Sequence, residues 1–391
     1  MIPYGRQDIS EADIQAVVDV LSCDFLTQGP EVPGFEQAVA RYCDARHAIA
    51  VNSATSALHL ACLALQVGPR DCVWTSPITF VATANCALHC GAAVDFVDID
   101  PGTCNLSVQR LAEKLEVAKR YNRLPKVVIP VHFGGQACDM AAIHDLGNRF
   151  GFRIIEDASH AIGGRYRGEP VGNGRYSDIT VFSFHPVKLI TTAEGGMALT
   201  NDHRLARRMR LLRSHGTTRD AADMTRPPDG PWYYQQIDVG FNYRMTDLQA
   251  ALGSSQLKRL DEFVARRHDI AERYDECVAN LPVATLSQCP DSHSARHLYV
   301  IRLKLSEIES THRNIYDAMR TAGVGVNVHY IPLHLQPYYT QLGFVAGQYP
   351  EAERYYSEAL TLPIYAALTV SEQTYVCSAL SECLGRGRKH A

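Results

Sequence analysis

The 391-residue sequence has few of the features that mark membrane or nucleic-acid-binding proteins. No apolar run is long enough to cross a bilayer, and the N-terminus has no apolar signal core, so we expect a cytoplasmic protein without a membrane anchor. The formal net charge of −4 indicates no surface for nucleic acid. The basic tail over residues 386–390 is interpreted as a frayed terminus.

Motifs for metals, disulfides and dinucleotides are also missing. The twelve cysteines show no Cys-x-x-Cys pair, which favours buried reduced thiols over a disulfide framework, and no metal site is predicted. A dinucleotide-binding protein would show a similar alternation of strands and helices. It is less favoured, because no Gly-x-Gly-x-x-Gly follows the first predicted strand at residues 48–51.

Strands and helices alternate through the first half of the chain. Apolar runs predict strands at residues 48–51, 71–74, 93–97, 126–131 and 153–156, with a closing strand pair at 180–184 and 196–199. This alternation predicts an α/β fold with a mixed, mostly parallel sheet wrapped by helices. The length predicts a large domain over residues 1–250 with an N-terminal arm, and a smaller C-terminal α+β domain over residues 251–391.

Other segments are assigned from their local patterns. Ser10, with acidic residues after it, predicts a helix start, and a second helix is predicted over residues 34–42. Residues 246–277 predict one long helical region, and residues 324–329 predict a strand. The Pro-rich residues 220–232 predict an irregular loop.

One lysine lies in an unusual setting. Lys188 ends the segment Phe182-Ser-Phe-His-Pro-Val-Lys188, and Asp157 and His160 follow a predicted strand upstream. An amine, a carboxylate and nearby hydroxyls are the groups needed to hold pyridoxal phosphate (PLP) as a Schiff base. Asp157 would protonate the pyridine nitrogen, His160 can bond the ring oxygen, and Ser183 can contact the phosphate. A surface acid at a strand end is the alternative interpretation of Asp157.

Two earlier segments add to this pattern. Asn52-Ser-Ala-Thr55-Ser56 follows a strand and opens a helix, where backbone amides can hold a phosphate. Plain helix capping is the alternative. Phe80 can stack on a pyridine ring, although a core aromatic is the alternative there. Each signal is weak alone, but their order along the chain is more specific.

Together these segments resemble the DegT family of PLP aminotransferases, which have fold type I, the aspartate-aminotransferase-like fold, and act on nucleotide-linked keto sugars. The matching segments occur in the family's order along nearly the whole chain: residues 26–30, 52–58, 79–85, 156–163, 182–188, 213–216, 240–247 and 328–334. The resemblance implies a PLP cofactor, a nucleotide-sugar substrate and L-glutamate as the amino donor.

The resemblance implies roles at the reactive end of the cofactor. It makes Lys188 the residue that bonds PLP covalently, with Asp157 on the pyridine nitrogen and His160 on the ring hydroxyl. Phe80 would stack on the ring. Related dehydratases carry His at the lysine position, so Lys188 favours transamination over a dehydratase or lyase activity. A binding module without activity is less favoured, because no DNA-binding region is added.

The resemblance also implies residues for the phosphate and the substrate. Ala54, Thr55 and Ser183 would hold the phosphate. Asn242 would reach the phosphate of the neighbouring subunit, so a homodimer with shared active sites is implied. Candidate substrate-binding residues are Thr27, Glu194, His329, Tyr330 and His334. Ordinary polar surface at a strand end is the alternative for the last three.

Three segments, residues 52–57, 77–85 and 188–196, are most similar to the branch of the family that aminates C4 of a UDP-linked 4-keto-6-deoxy-N-acetyl hexosamine in pseudaminic acid synthesis. Residues 131–136 and 220–232 depart from that branch and are candidates to face the sugar. A GDP- or dTDP-linked keto sugar therefore stays open as the substrate.

Overall fold

The chain, seen in a computed structural model that describes residues 1–385, folds around a seven-stranded sheet. The predicted frayed tail at 386–390 lies outside the described residues. The strands are β1 (His47–Val51), β2 (Cys72–Thr75), β3 (Ala93–Phe96), β4 (Val127–Ile129), β5 (Arg153–Asp157), β6 (Arg165–Tyr166), β7 (Glu169–Pro170), β8 (Ile179–Ser183), β9 (Gly196–Thr200), β10 (Thr217–Thr218), β11 (Gln235–Gln236), β12 (Val283–Thr285), β13 (Ser292–His293), β14 (Tyr299–Leu303) and β15 (Ala359–Leu362).

Helices cover the sheets and form the connections between strands. They are α1 (Glu11–Leu21), α2 (Glu31–Tyr42), α3 (Ala54–Ala64), α4 (Val81–His89), α5 (Val108–Arg120), α6 (Met140–Phe150), α7 (His203–Arg213), α8 (Asp247–Leu257), α9 (Leu260–Val278), α10 (His312–Thr321), α11 (Pro337–Gln341), α12 (Pro350–Glu358) and α13 (Val370–Gly385). Short 3₁₀ turns lie at Phe133–Gly135, Leu305–Glu307 and Leu333–Leu335.

The large sheet is mixed and mostly parallel, which confirms the predicted α/β fold. Its strand order is β1-β9-β8-β5-β4-β2-β3. The strands from β8 to β3 in that order pair in parallel, whereas β9 runs antiparallel to both β8 and β1. The predicted closing pair is therefore β8 and β9. These two strands are buried along their whole length, as expected of strands covered on both faces.

Both faces of the large sheet carry an apolar core. On one face α3, α4 and α7 pack against the strands through side chains such as Leu60 and Met209. On the other face α2, α5 and α6 contribute residues such as Phe35 and Ile143. This arrangement leaves the ends of the strands open, and ligands of such sheets bind at the carboxyl ends.

A second, antiparallel sheet lies in the C-terminal part of the chain. Its order is β12-β14-β15, and α9, α10 and α13 share a core with it. Helix α9 contributes Phe263 to the core of the large sheet and Tyr274 to this second core, so one helix joins both. The predicted division between residues 250 and 251 falls inside α8, and the domain division stays a prediction.

Some local predictions were wrong. The long helical region predicted over residues 246–277 is broken between α8 and α9. Arg259 lies at the break and forms two ion pairs. Its Nη1 is 3.0 Å from Oδ1 of Asp8, and its Nη2 is 2.8 Å from Oδ2 of Asp13. Helix α2 begins at Glu31, three residues before the predicted start. The helix start predicted at Ser10 is confirmed, and Ser10 forms a capping box with Asp13 there.

The strand predicted over residues 324–329 is also absent. Val324 pairs only with Ile2, and Asn327 pairs only with Thr361, as isolated bridges. The segment is held instead by the N-terminal arm, because the N–H of Gly325 donates to the carbonyl of Ile2 at 2.7 Å. By contrast, residues 220–232 contain no helix or strand, as predicted.

The structure of residues 1–385 also bears on the cysteines, on membrane-spanning helices and on metal sites. Cys43, Cys62 and Cys86 are buried, as predicted, whereas Cys23 is exposed and Cys72 and Cys90 are half-buried. Over residues 1–385, every helix is too short or too polar to cross a bilayer. Within the same range, no group of His, Cys, Asp and Glu side chains is arranged to hold a metal ion.

Candidate active site

A cavity of about 550 Å³ opens at the carboxyl ends of the parallel strands. Strand β5 ends in it at Asp157 and β8 ends in it at Ser183, while α3 begins beside it at Ala54. The sequence-predicted residues that line it are Ala54, Thr55, Phe80, Asp157, His160, Ser183, Lys188, Glu194, His329 and Tyr330. Residues far apart in the sequence thus meet because their strands end at one edge of the sheet.

Lys188 lies on the turn that follows β8. Its backbone N–H donates to the carbonyl of His185 at 2.9 Å, which fixes the turn. Within residues 1–385 its Nζ makes no hydrogen bond. Burial lowers the pKa of Lys188 to about 8, while the nearby charge of Asp157 partly opposes this shift. The amine is therefore partly neutral near pH 7.

The carboxylate of Asp157 is held in one orientation. Thr83, inside α4, donates its hydroxyl to Oδ2 at 2.6 Å, and the N–H of Ser159 donates to Oδ1 at 3.1 Å. The hydroxyl of Thr79 lies 2.7 Å from that of Thr83 and extends the network. Hydrogen bonds to an ionised acceptor are the stronger kind, so this carboxylate has little freedom to rotate.

His160 is buried and held as a neutral ring. Its Nδ1 accepts the N–H of Gly134 at 3.3 Å, so the proton is assigned to Nε2, which lies 3.2 Å from the hydroxyl of Tyr330. Burial lowers the pKa of His160 well below its usual value, and the charge of Lys188 adds to the effect. A second buried histidine, His297, packs beside it with ring centroids 4.4 Å apart. His160 therefore offers an N–H donor to the cavity.

The N-terminus of α3 forms an anion cradle. Ser53 caps the helix and accepts the N–H of Ser56 at 3.1 Å. The amides of Ala54 and Thr55 have no acceptor among the described residues, and both residues line the cavity with Ser183. Ser53 thus supplies the ordinary cap, and two amides remain for an anion. An amine, a fixed carboxylate and an anion cradle around one cavity fit PLP.

Phe80 lies at the mouth of the cavity. The residue is 58% exposed, so it is not a core aromatic. The ring centroid lies 6.3 Å from that of Tyr330 across the opening. A planar ligand in the cavity would meet the faces or edges of these two rings.

His329 closes the far side of the cavity. Its Nδ1 lies 2.9 Å from the hydroxyl of Thr361, and its ring packs against Tyr4 with centroids 5.1 Å apart. Burial lowers the pKa of His329 to about 3, with the charge of Lys188 acting in the same direction. The N-terminal arm therefore contributes Tyr4 to the wall, next to a neutral histidine.

Three predicted residues are not brought to the cavity of their own chain. Asn242 is exposed, and its carbonyl accepts the side-chain amide of Asn52 at 3.4 Å. Thr27 is exposed and pairs through its backbone with Thr246. His334 is fully buried.

The burial of His334 has a clear structural cause. Its Nε2 lies 2.9 Å from a carboxylate oxygen of Glu353, and its ring packs edge-on against Tyr349 at 4.8 Å. A side chain with no exposed surface and a bonded partner does not reach the substrate, so the prediction that His334 binds the substrate is wrong.

The two segments that were candidates to face the sugar contribute only one residue to the cavity. Residues 131–136 are buried, and only Val131 among them lines the cavity. This segment positions a residue of the cavity wall, because the N–H of Gly134 donates to Nδ1 of His160. Residues 220–232 contribute nothing to the lining of the cavity in this chain.

Several residues that line the cavity were not predicted from the sequence. They are Tyr4, Ser53, Thr79, Thr83, Ser159, His185 and Asn327. His185 lies within the same segment as Lys188, so its position was available as a signal. Thr83 gave none, because a threonine inside a helix is ordinary and its partner Asp157 is 74 residues away.

The fold and the cavity are those of a PLP-dependent aminotransferase. Comparison with known proteins supports the same class. The chain belongs to the DegT/DnrJ/EryC1/StrS aminotransferase family, whose family model matches residues 7–381. It is 39% identical over 384 residues to the spore coat polysaccharide biosynthesis protein SpsC of Bacillus subtilis, covering 97% of this chain and 96% of that protein.

Two further relatives carry more specific names. The UDP-4-amino-4,6-dideoxy-N-acetyl-beta-L-altrosamine transaminase of Campylobacter jejuni strain 81-176 is 36% identical over 391 residues, covering 100% of this chain and 99% of that protein. Helicobacter pylori PseC, an aminotransferase involved in pseudaminic acid biosynthesis, superposes with a TM-score of 0.89 at 30% identity, covering 98% and 99% of the two chains.

A solved relative also bears on the cofactor. The putative sugar aminotransferase Spr1654 of Streptococcus pneumoniae superposes with a TM-score of 0.88 in its PLP form, at 31% identity and over 98% of this chain and 99% of that chain. The predicted family, fold and cofactor are confirmed. The chain is a PLP-dependent sugar aminotransferase that takes a nucleotide sugar and an amino donor.

Proposed function

We propose that this aminotransferase moves an amino group from L-glutamate to C4 of a UDP-linked 4-keto-6-deoxy-N-acetyl hexosamine, as in pseudaminic acid biosynthesis. The similarity to the Campylobacter transaminase along the whole chain carries the choice of sugar. A transaminase that is named for a 4-amino-4,6-dideoxy sugar works on the matching 4-keto-6-deoxy sugar, because transamination exchanges a carbonyl for an amine at one carbon.

Lys188 is proposed to bond the cofactor and then to move protons. PLP, when bound, supplies a carbonyl carbon that carries the amino group and a ring that accepts electrons. Since the pKa of Lys188 is lowered to about 8, its amine can take a proton from the substrate carbon near neutral pH and return it as an ammonium.

Asp157 is proposed to keep a proton on the pyridine nitrogen. Its carboxylate ends β5 at the cavity wall, and Thr83 and the amide of Ser159 hold its two oxygens. A carboxylate fixed in this way favours the charged form of a ring nitrogen beside it. The hydrogen bond from Thr83 makes that helix residue a positioning residue for the same step.

The rest of the cavity would orient the cofactor and exclude water. The amides of Ala54 and Thr55 and the hydroxyl of Ser183 are proposed to hold the phosphate, because all three residues line the cavity with hydrogen-bond donors. Phe80 is proposed to cover the ring face. His160 is proposed to donate its Nε2–H to the ring hydroxyl, the direction that its bond from Gly134 leaves open.

Glu194, His329 and Tyr330 are proposed to contact the substrates. All three line the cavity, and Glu194 is exposed at its rim. The carbonyl of Glu194 accepts the side-chain amide of Gln249 at 2.7 Å, which ties the rim to the start of α8. Thr27 pairs with Thr246 at that same start and is proposed to act at the rim as well.

A homodimer with shared sites is proposed from the position of Asn242. Its side chain is exposed and lies outside its own chain's cavity, whereas the family resemblance assigns it to a phosphate. These two statements agree if Asn242 reaches the cavity of a second copy. A cytoplasmic location is proposed as well, because the spacing of the cysteines in the sequence favours reduced thiols over a disulfide framework.

A second candidate substrate is another nucleotide-linked keto sugar. The Bacillus relative has the higher identity and is named for spore coat polysaccharide rather than for a particular sugar. The test is a panel of UDP-, GDP- and dTDP-linked 4-keto-6-deoxy sugars with L-glutamate, read by mass spectrometry. We expect the UDP-linked N-acetyl sugar to give a 4-amino product together with one equivalent of 2-oxoglutarate.

The Lys188→Ala variant is the control for that panel and is expected to give no product. Turnover of only a GDP- or dTDP-linked sugar would contradict the proposed substrate and leave the aminotransferase activity standing. Replacing L-glutamate by L-aspartate or L-alanine tests the donor, and equal rates with all three would contradict the choice of L-glutamate.

A further inference from the structure

A histidine from the C-terminal part of the chain packs against His160. His297 lies two residues before β14, and its ring centroid is 4.4 Å from that of His160, with 47° between the ring planes. Both residues are buried, with 4% of His297 and 5% of His160 exposed. Of the two, only His160 lines the cavity. The ring of His297 therefore supports, from behind the cavity wall, the residue that is proposed to donate to the ring hydroxyl of PLP.

The close approach of the two histidine segments depends on glycine. Gly135 lies between them with a φ of 100°, and a Cβ atom there would be 2.9 Å from the carbonyl oxygen of His160 and 3.0 Å from the amide nitrogen of His297. The neighbouring Gly134 bonds to both segments. Its carbonyl accepts the N–H of Leu298 at 3.2 Å, and its N–H donates to Nδ1 of His160 at 3.3 Å. The backbone thus fixes where His297 lies relative to His160.

A buried arginine also holds the backbone of His297. Arg267 lies on α9 and is 2% exposed. Its Nη1 donates to the carbonyl of His297 at 3.2 Å and to the carbonyl of Ile364 at 2.9 Å. Ile364 follows β15, so this arginine joins the His297 segment to the second sheet. The backbone of His297 is therefore tied both to the glycine turn and to α9.

The contact joins two neutral rings. Burial lowers the pKa of His297 well below its usual value, and positive charge on His160, Lys188, Arg267 or His329 acts in the same direction. Nδ1 of His297 has no hydrogen-bond partner among the residues that the structure describes. The side chain of His297 therefore acts on His160 by ring packing.

The hydrogen bond from Gly134 alone does not fix the ring of His160. Its length of 3.3 Å lies beyond the usual range of about 2.7–3.2 Å for N–H donors. We propose that His297 is a positioning residue, whose ring holds His160 so that Nε2–H meets the ring hydroxyl of bound PLP. This role rests on the proposed function, in which His160 faces that hydroxyl. A donor there favours the ionised oxygen, so a misaligned His160 should raise the pH at which bound PLP changes its absorbance.

The test titrates the purified holoenzyme between about pH 5 and pH 10 and follows the absorbance of bound PLP. His297→Leu and His297→Gln both remove the flat ring, so either variant that folds carries the test. We expect the midpoint of the absorbance change to rise by about one pH unit, because a hydrogen bond to a charged group is partly lost. His297→Phe restores a flat ring and should return the midpoint to near the wild-type value.

Variants of His160 separate positioning from a general effect on the fold. His160→Leu removes the donor itself and sets the upper limit of the shift. If His297 acts through His160, His297→Leu should add nothing to the midpoint of His160→Leu, whereas a general effect would add its full shift. The matched control is His293→Leu. The ring of His293 stacks on that of His268 with centroids 4.3 Å apart, and neither residue lines the cavity, so this midpoint should equal that of wild type.

A wild-type midpoint in a folded variant without the ring would overturn the proposal. So would a shift by His297→Leu that stays undiminished in the His160→Leu background, or an equal shift in His293→Leu. PLP uptake by wild type is measured first, by equilibrium dialysis. A wild type that takes up no PLP would contradict the proposed site itself, whereas the outcomes above contradict the role of His297 and leave that site standing.

Discussion

The hydroxyl of Thr83 lies 2.6 Å from Oδ2 of Asp157, and it joins the interior of α4 to the end of β5. The bond holds the carboxylate that is proposed to face the pyridine nitrogen. Removal of this donor would let the carboxylate rotate while leaving its charge in place. The contribution of Thr83 can therefore be measured apart from that of the acid itself.

Thr83→Val keeps the shape of the side chain and removes the donor. A hydrogen bond to a charged group is worth about 1.5–3 kcal/mol, so kcat should fall about ten- to a hundredfold if the bond acts in the rate-limiting step. PLP should still be retained, which its absorbance at a fixed protein concentration will show. Thr83→Ser keeps the hydroxyl and should stay near wild type. Asp157→Asn sets the upper limit of the loss, and a Thr83→Val enzyme with unchanged kcat would contradict the positioning role.

The lowered pKa of Lys188 predicts how the apoenzyme takes up its cofactor. The neutral amine is the nucleophile, and burial brings its pKa from the usual 10.5 to about 8. The amine therefore loses its proton at lower pH, and the rate of covalent PLP uptake should rise about tenfold per pH unit below pH 8 and level off above it. Stopped-flow absorbance measures this rate.

Lys188→Ala is the control for that measurement, since it should bind PLP without a borohydride-reducible adduct. A rate in wild type that continues to rise toward pH 10 would mean that the lysine is not buried as described. A wild-type protein that shows no PLP absorbance after addition of PLP would exclude the whole assignment of the site.

Gly196 lies directly beneath the anion cradle at the start of β9. A Cβ atom added there would be 2.5 Å from the amide nitrogen of Ala54 and 2.6 Å from the carbonyl of Ser53. Those atoms belong to the backbone, which cannot rotate away as a flexible side chain can. Gly196→Ala should therefore displace the start of α3. Loss of one hydrogen bond to a charged phosphate would weaken PLP binding by about tenfold or more.

Gly34→Ala is the matched control, because nothing lies within 4 Å of the added atom. Gly34 is inside α2, where alanine stabilises a helix by about 0.5–1 kcal/mol, so this variant should keep its cofactor and melt slightly higher. Equilibrium dialysis of PLP compares the two variants. Equal retention by both would show that the cradle tolerates a shift of α3.

The shared site predicts complementation between two inactive variants. Asn242→Ala should weaken PLP retention about tenfold or more, through the loss of a bond to a charged group on the partner's cofactor. In a mixed dimer with Lys188→Ala, one site carries both defects and the other carries neither. Activity should therefore partly return after the two variants are mixed and subunits exchange.

The control for this mixing is Lys188→Ala combined with the double variant, which leaves no intact site and should stay inactive. A monomer in solution would contradict the proposal. So would a proven mixed dimer that recovers no activity although its Asn242→Ala parent is inactive.

Local sequence determined the elements that carry the chemistry. The apolar runs that end in Asp157 and Ser183 predict strands that are covered on both faces, and both are strands. Their carboxyl ends meet at one edge of the sheet. Lys188 follows the second of these runs by a short turn, so its place in the cavity follows from the order of the segments. The family resemblance, carried by segments along nearly the whole chain, is confirmed by the family match.

Tertiary contacts decided what no local pattern could. Thr83 donates to Asp157, which lies 74 residues away in the sequence. The buried His334 pairs with Glu353, a partner that the pattern around His334 did not indicate. In place of the predicted strand over residues 324–329, the N–H of Gly325 donates to the carbonyl of Ile2 in the N-terminal arm. Propensity and periodicity describe neighbours along the chain. The partner of a hydroxyl, an imidazole or an amide depends on which segments the fold brings beside it.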